Sequence, residues 1–312
     1  MNEVRVIKPG LLTTVQDLGR WGFQAHGVSV AGAMDSFSHR LANALVGNPM
    51  DAATLEATLR RPELEFGDAR VVAVTGAEFE TTLDGRPVPS NASFEVARGS
   101  RLAFGRRARG TRAYVAVGGG LAVPLILGSR ATHVMSAMGG LEGRALRAGD
   151  RLPLGNASAP GRSVSYSPAR SEEQHVRVRV LPGLQRDEFS DEAFKTLQAA
   201  PYRVGLDSDR TGFRLEGAGI LHQRDGEMIS DATPMGAIQI PGSGLPILLM
   251  ADRQTTGGYP QLATVITADL CVAAQLGPGD TVAFVECGPQ EAMTALIAKE
   301  RALLAVERSE AT

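Results

Sequence analysis

Lysine is almost missing: of 312 residues only Lys8, Lys195 and Lys299 carry an ammonium, and the other 29 of the 32 basic residues are arginine. No lysine follows a glycine in the GxxxxGK[ST] spacing, so a P-loop is excluded. None lies in a glycine-rich polar segment, which argues against a Schiff base, and no Met-Lys pair is available to carry biotin. Cysteine is equally scarce. Cys271 and Cys287 are too far apart for a CxxC pair, and two thiols make no disulfide framework, so a reducing compartment is expected. The five histidines show neither HxH nor HExxH spacing, which speaks against a zinc site. Neither charge dominates: a net charge of −2 gives no reason to expect a nucleic-acid or anionic-membrane partner. No apolar run approaches the roughly 20 residues of a membrane span, and the N-terminus lacks the apolar core of a signal peptide. A cytoplasmic protein is the expectation.

Short β-type runs and glycines dominate what is present. Runs at 4–7, 71–75, 112–117, 176–181, 237–240, 246–250, 261–266 and 281–286 are rich in β-branched or alternating apolar residues. Gly-polar turns feed alternating strands at 99–104, 149–154 and 279–284, as in barrels. Helices are few. Asp35 or Ser36 caps one that carries Phe37, Leu41 and Leu45 on one face, and Gly47 with Asn48-Pro49 ends it. Thr267 caps a second, a third falls near 190–199, and the last starts near Pro289 with Met293, Leu296 and Ile297 on one face. The small, polar stretch 156–175 reads as a linker. Two β domains follow, 1–155 and 176–312, the second ending in a helix.

Three polar constellations stand out. The densest is Asp252-Arg253-Gln254-Thr255-Thr256-Gly257-Gly258-Tyr259-Pro260, expected as a hairpin between the strand-like runs around 246–250 and 262–267. Asp252 is a candidate proton-transfer group and Arg253 a candidate stabiliser of negative charge. Thr255, Thr256 and the glycine amides can form a donor nest, and Tyr259 can donate. The competing reading is a turn whose Thr and Asp side chains satisfy their own backbone. The second constellation, Asp209-Arg210-Thr211-Gly212-Phe213-Arg214, offers two guanidiniums suited to carboxylate or phosphate, or else Arg–Asp pairs at a surface turn. In the third, Gln16, Asp17 and Arg20 precede Trp21, His26 and Asp35. There Asp17 and Arg20 form a structural pair, or Gln16 and Arg20 grip a carboxylate or amide.

The segments TTVQDLGRWG, GAMDSFSHRLANALVGN, TLEATL, YVAVGGG, LGSRATH, GRALRAGD, VLPGLQRDEF, DRTGFRLEG, GAIQIPGSGLPILLMADRQTTGGYP and AQLGPGD, in this order over nearly the whole chain, resemble the KipA-like family. That family is also called allophanate hydrolase subunit 2 or the biotin-dependent carboxyltransferase domain family, and it includes the 5-oxoprolinase C-subunit. The chain departs from the family pattern at Ser29, Thr211 and Asp231-Ala232-Thr233. The resemblance implies a mainly β fold with a few short helices, built as two tandem cyclophilin-like β barrels. It implies a KipI-like partner (allophanate hydrolase subunit 1) and, for a 5-oxoprolinase, a third lactam-utilisation subunit. The expected activity is hydrolase work on 5-oxoproline, opening its lactam to glutamate with ATP bound through the assembled complex. The alternatives are carboxyl transfer from carboxybiotin on a separate carrier to urea or a urea-like amide, and a non-catalytic regulator that binds a KipI-like kinase inhibitor. The shared ligand chemistry, a small amide, makes Asp252, Arg253, Thr255 and Tyr259 the expected catalytic group. Gln16, Asp17, Arg20, His26, Asp35, Arg210, Arg214, Gln239 and Thr256 are the expected substrate-binding group, with no metal.

Overall fold

The computed structural model describes residues 2–60, 62–156, 175–223 and 228–309. The fold is mainly β, as the alternation and glycine punctuation require. Among the described residues it has four α-helices: α1 (Ser36–Leu45), α2 (Asp191–Ala199), α3 (Thr267–Ala273) and α4 (Pro289–Glu307). No helix among them is long and apolar enough to cross a membrane. The chain divides into two compact units, one of residues 1–20, 31–169 and 300–312, the other of 21–30 and 170–299. A cut into 1–155 and 176–312 therefore misplaces two short segments: Trp21–Val30 goes with the second unit, and the chain from Glu300 goes with the first. The expected linker lies, apart from its two end residues, outside the described residues.

In the first unit a nine-stranded sheet runs in the order Leu12–Gln16, Thr54–Thr58, Arg101–Val117, Pro62–Phe66, Glu3–Pro9 and Arg151–Pro153. The 14-residue strand Arg70–Leu83 also pairs with Arg101–Val117, and it carries the short strands Arg86–Pro87 and Ser93–Val96. One face buries Val4, Val6, Val15, Leu55, Leu64, Phe66, Val72 and Val115 in an aliphatic cluster. α1 covers Ala73, Tyr114 and Ala116 with Leu41, Leu45 and Val46. Asp35 caps α1, accepting from the Ser38 amide at 2.9 Å and the Ser38 hydroxyl at 2.6 Å. Such a cap contributes about 1 kcal/mol.

The second unit holds a closed seven-stranded barrel. Its strands follow one another as Val176–Pro182, Gln261–Val265, Ala237–Gln239, Ile247–Leu249, Gly212–Glu216, Tyr202–Val204 and Thr281–Glu286, and a parallel pairing of the last with the first closes the ring. Alternate residues Val178, Val180, Phe213, Leu215, Leu248, Val282 and Phe284 are buried. Closure leaves none of the seven strands as an open edge.

Three sequence expectations need correction here. Residues 250–260 are not a hairpin: the strands before and after them do not pair with each other, because Ala237–Gln239 lies between them and pairs with both. The polar stretch instead crosses over that strand, and its Thr256–Gly257 forms a separate two-stranded ladder with Asp231–Ala232. Thr267 does not cap α3; it is the first helical residue, and Ile266 holds the cap position with no side-chain bond. Finally, Met293 and Ile297 of α4 are exposed, and the buried residues of that helix are Leu303 and Val306.

Candidate functional site

In the second unit the polar stretch is held from three sides. Asp252 and Arg210 form a buried fork: Arg210 Nε donates to Oδ2 at 2.8 Å and Nη2 to Oδ1 at 2.9 Å. The Asp252 amide also donates to the Arg210 carbonyl at 2.9 Å. Both Asp252 oxygens are thus engaged by one guanidinium, and proton transfer by Asp252 would require that fork to open. Of the two arginines flanking the turn, only Arg210 faces inward. Arg214 lies on the outer side of its strand, between buried Phe213 and Leu215, and is exposed.

Arg253 differs from its neighbour in what surrounds it. It is 9% exposed, and Nε donates to the Thr233 carbonyl at 2.7 Å and Nη1 to the Met250 carbonyl at 3.4 Å. Its own carbonyl accepts from Ser29 Oγ at 3.1 Å, which ties the 21–30 segment to the site. Among the described residues no carboxylate lies within ion-pairing distance of this guanidinium. Burial pushes Arg253 below its ordinary pKa, and the charge of Asp252 only partly offsets that. The two carbonyls that accept from Nε and Nη1 are neutral and do not cancel the charge.

Thr233 is the brace, and sequence reasoning gave it no role. It is buried, and its carbonyl, hydroxyl and amide engage three successive residues: the Arg253 side chain, the Gln254 carbonyl and, at 3.2 Å, the Thr255 carbonyl. Beside it three glutamines meet. A register slip between Ile238 and Gln239 sets Gln239 opposite Gln261; such slips often re-aim side chains at sites. Gln239 Nε2 donates to the Tyr259 carbonyl at 3.3 Å, and its Oε1 accepts from Gln254 Nε2 at 3.5 Å. Gln261 Nε2 donates to the Ala232 carbonyl at 2.9 Å, while its Oε1 is buried with no donor among the described residues. Gly257 leaves room for this cluster, since a Cβ there would come within 2.7 Å of Gln239 Nε2 and 3.0 Å of Thr233 Cγ2. Thr255 is half-buried, and Thr256, Tyr259 (45% exposed) and His26 are exposed. Gln239 was expected from the sequence and Gln254 lies in the polar stretch, but Gln261 was missed because its role depends on strand pairing; a fourth glutamine, Gln185, joins from 76 residues away, its Oε1 accepting from the Gln261 amide at 3.2 Å.

Gln16, Asp17, Arg20 and Asp35 belong to the first unit, where they build a rigid platform. Asp17 accepts from the Gly19 amide at 2.8 Å, Ser129 Oγ at 2.7 Å and the Arg130 amide at 2.5 Å. Gln16 Nε2 donates to Thr14 Oγ1 at 2.9 Å and the Thr132 carbonyl at 3.1 Å, and Oε1 is buried without a donor among the described residues. Arg20 is fully buried and donates to the Ala131 carbonyl. Gly32, at φ +88°, lets residues 31–35 press on this turn, where a Cβ would lie 2.8 Å from the Gly19 nitrogen. Asp35 is spent on capping α1. Behind the platform Glu56 accepts from Tyr114 OH at 2.7 Å and the Met34 amide at 2.9 Å, and burial raises the Tyr114 pKa well above its usual value. His39 is fully buried, with Nδ1 2.8 Å from Thr54 Oγ1, and burial pushes it down to about 4.

The comparisons with known proteins place this tandem of β units in a family. The carboxyltransferase domain, subdomain A and B, family model matches residues 26–286, and the chain belongs to that family. It is 39% identical over 292 residues to the 5-oxoprolinase C-subunit of Escherichia coli (strain K12), covering 94% of each chain. The Haemophilus influenzae 5-oxoprolinase C-subunit is 37% identical, with 89% of each chain covered. The crystal structure of the K. lactis urea amidolyase superposes with a TM-score of 0.90 at 32% identity, covering 98% of this chain but 20% of that one. The chain thus spans about a fifth of that larger enzyme and nearly the full length of the bacterial subunits.

Proposed function

We propose that the chain is a subunit of an ATP-dependent 5-oxoprolinase, working with a KipI-like subunit to open the 5-oxoproline lactam to glutamate. End-to-end similarity to the bacterial 5-oxoprolinase C-subunits supports this reading over the fused urea enzymes. The observation that carries the site assignment is Arg253. A buried cation without a counter-ion costs several kcal/mol. A ligand carboxylate, or the oxyanion that develops on a lactam carbonyl, supplies the missing charge. Gln239 and Gln254 orient the amide beside it. Asp252 neutralises Arg210, which leaves Arg253 as the net positive charge of the stretch. Thr255, Thr256 and Tyr259 lie nearer solvent, where a partner protein completes the site. ATP binds in the assembled complex.

The test is co-expression with a KipI-like subunit and a lactam-utilisation subunit, followed by ATP hydrolysis and glutamate formation with 5-oxoproline. Arg253→Gln in that complex is expected to lower kcat/KM by about 100-fold. Absence of any 5-oxoproline-stimulated hydrolysis would remove the reading. The family's carboxyltransferase description and the urea amidolyase superposition favour a second one, carboxyl transfer from carboxybiotin to a urea-like acceptor. Carboxylated product from carboxybiotin and urea identifies that case. A stable complex with neither activity identifies a regulator.

A further inference from the structure

The first unit contains a groove of about 600 Å³ that none of the candidate site residues described above line. Its walls come from the end of the Glu3–Pro9 strand, the turn at Leu59-Arg60 and the bend of the long strand at 105–107. Four cations line it, Lys8, Arg60, Arg106 and Arg107, with Pro9 and Leu59 as apolar contacts and no acidic residue in the lining. Lys8 Nζ reaches out to Glu63 at 2.6 Å, and Arg106 to Glu80 at 2.7 Å. Arg107 donates only to the Gly110 carbonyl at 2.7 Å, and Arg60 makes no ion pair among the described residues. Even with both acids counted, the groove keeps an excess of two positive charges.

Exposure decides what such a groove can hold. The Lys8 and Arg106 side chains are 69% and 74% exposed, so their present pairs are worth little and exchange readily. For the same reason a single small anion finds no desolvated donor to grip and competes poorly with water and salt. A chain of linked carboxylates meets several cations at once, and each further contact is intramolecular. The apolar floor of Pro9 and Leu59 accepts the backbone or an aliphatic side chain of such a segment. We propose that this groove docks an acidic polypeptide segment of a partner protein, through Arg60, Arg106 and Arg107 with Lys8 at the rim. The proposal is independent of the activity assigned above, since no residue is shared.

The probe is fluorescein-labelled hexaglutamate, titrated with the full chain and followed by anisotropy at 50 and 300 mM NaCl, with inorganic triphosphate as competitor. Binding at low salt is expected to weaken at least tenfold at 300 mM and at least tenfold in Arg60→Glu/Arg106→Glu/Arg107→Glu. These three arginines are exposed, so the variant keeps the circular dichroism and melting temperature of the parent. A control, Arg98→Glu/Arg301→Glu/Arg308→Glu, reverses the same charge at exposed positions of the same unit and should bind like the parent. Three outcomes overturn the proposal: no binding at 50 mM NaCl, an equal loss in both variants (general charge attraction), or displacement by triphosphate at concentrations below that of the peptide (a small-anion site).

Discussion

Asp252 is the residue whose role the structure changes most, and a double-substitution cycle with Arg210 separates structure from chemistry. Both side chains are 7% exposed and joined by two hydrogen bonds of 2.8 and 2.9 Å. Removing one partner strands the other charge in the interior, which costs about 3–5 kcal/mol. Replacing both with apolar side chains of similar size removes the attraction and the desolvation cost together, and the net change is then close to zero or stabilising. Asp252→Leu and Arg210→Met are therefore each expected to lose about 3–5 kcal/mol in urea denaturation, and the double variant is expected to regain most of it. The coupling is thus several kcal/mol, well above the roughly 0.5 kcal/mol scatter of independent sites. If the two single losses simply add, the fork is not the stabilising unit described here. The double variant also reads chemistry. Folded but at least about 100-fold slower in the reconstituted complex, it would make the Arg210–Asp252 pair part of the chemistry or substrate binding; near-parental turnover would exclude proton transfer by Asp252 and make the carboxylate a counter-charge only.

Three further outcomes follow from the same geometry. His39 has a folded pKa near 4 against 6.5 in the unfolded chain, so as pH falls from about 6.5 to 4 the unfolded state takes up the proton first and stability drops by about 3 kcal/mol; in His39→Gln that part of the pH slope should vanish from denaturation curves, and an unchanged slope would refute it. Thr233→Val keeps the side-chain shape but removes the hydroxyl bond to the Gln254 carbonyl, with an expected loss of about 1–3 kcal/mol and a raised KM that Thr233→Ser restores. Gly257→Ala places a methyl group 2.7 Å from Gln239 Nε2, the end of a side chain that can shift, so it should cost no more than about 1 kcal/mol by melting while displacing the glutamine amide, and a larger loss would show that the cluster is rigid.

The strands were readable because alternation and β-branching are local, and every run singled out from the sequence lies on or overlaps an observed strand. The Asp35 cap was readable for the same reason, its acceptor sitting three residues from its donor. Strand order was not. Residues 250–260 looked like a hairpin because the strands they join are neighbours in sequence, yet the barrel inserts Ala237–Gln239 between them. The Arg210–Asp252 fork spans 42 residues, and the Thr233 brace depends on a ladder between Asp231–Ala232 and Thr256–Gly257 that neither segment announces alone. Arg253 could be picked out as a charge in a polar stretch, but its burial with no acid partner among the described residues is a property of the folded barrel.

Chain order gives the C-terminal helix a consequence for synthesis. Leu303 and Val306 complete the cluster that α1 forms with Tyr114, and Glu300 grips Arg40 through two bonds of 2.7 Å. A nascent chain emerging from the ribosome makes the nine strands of the first unit within its first 153 residues, yet must wait for residue 306 to seal that cluster. Fragments divided in the 157–174 region would each lack a piece of their own unit, Trp21–Val30 from one and the chain beyond Glu300 from the other. Such halves should be recovered soluble only when produced together, because each unit draws its chain from both sides of the division.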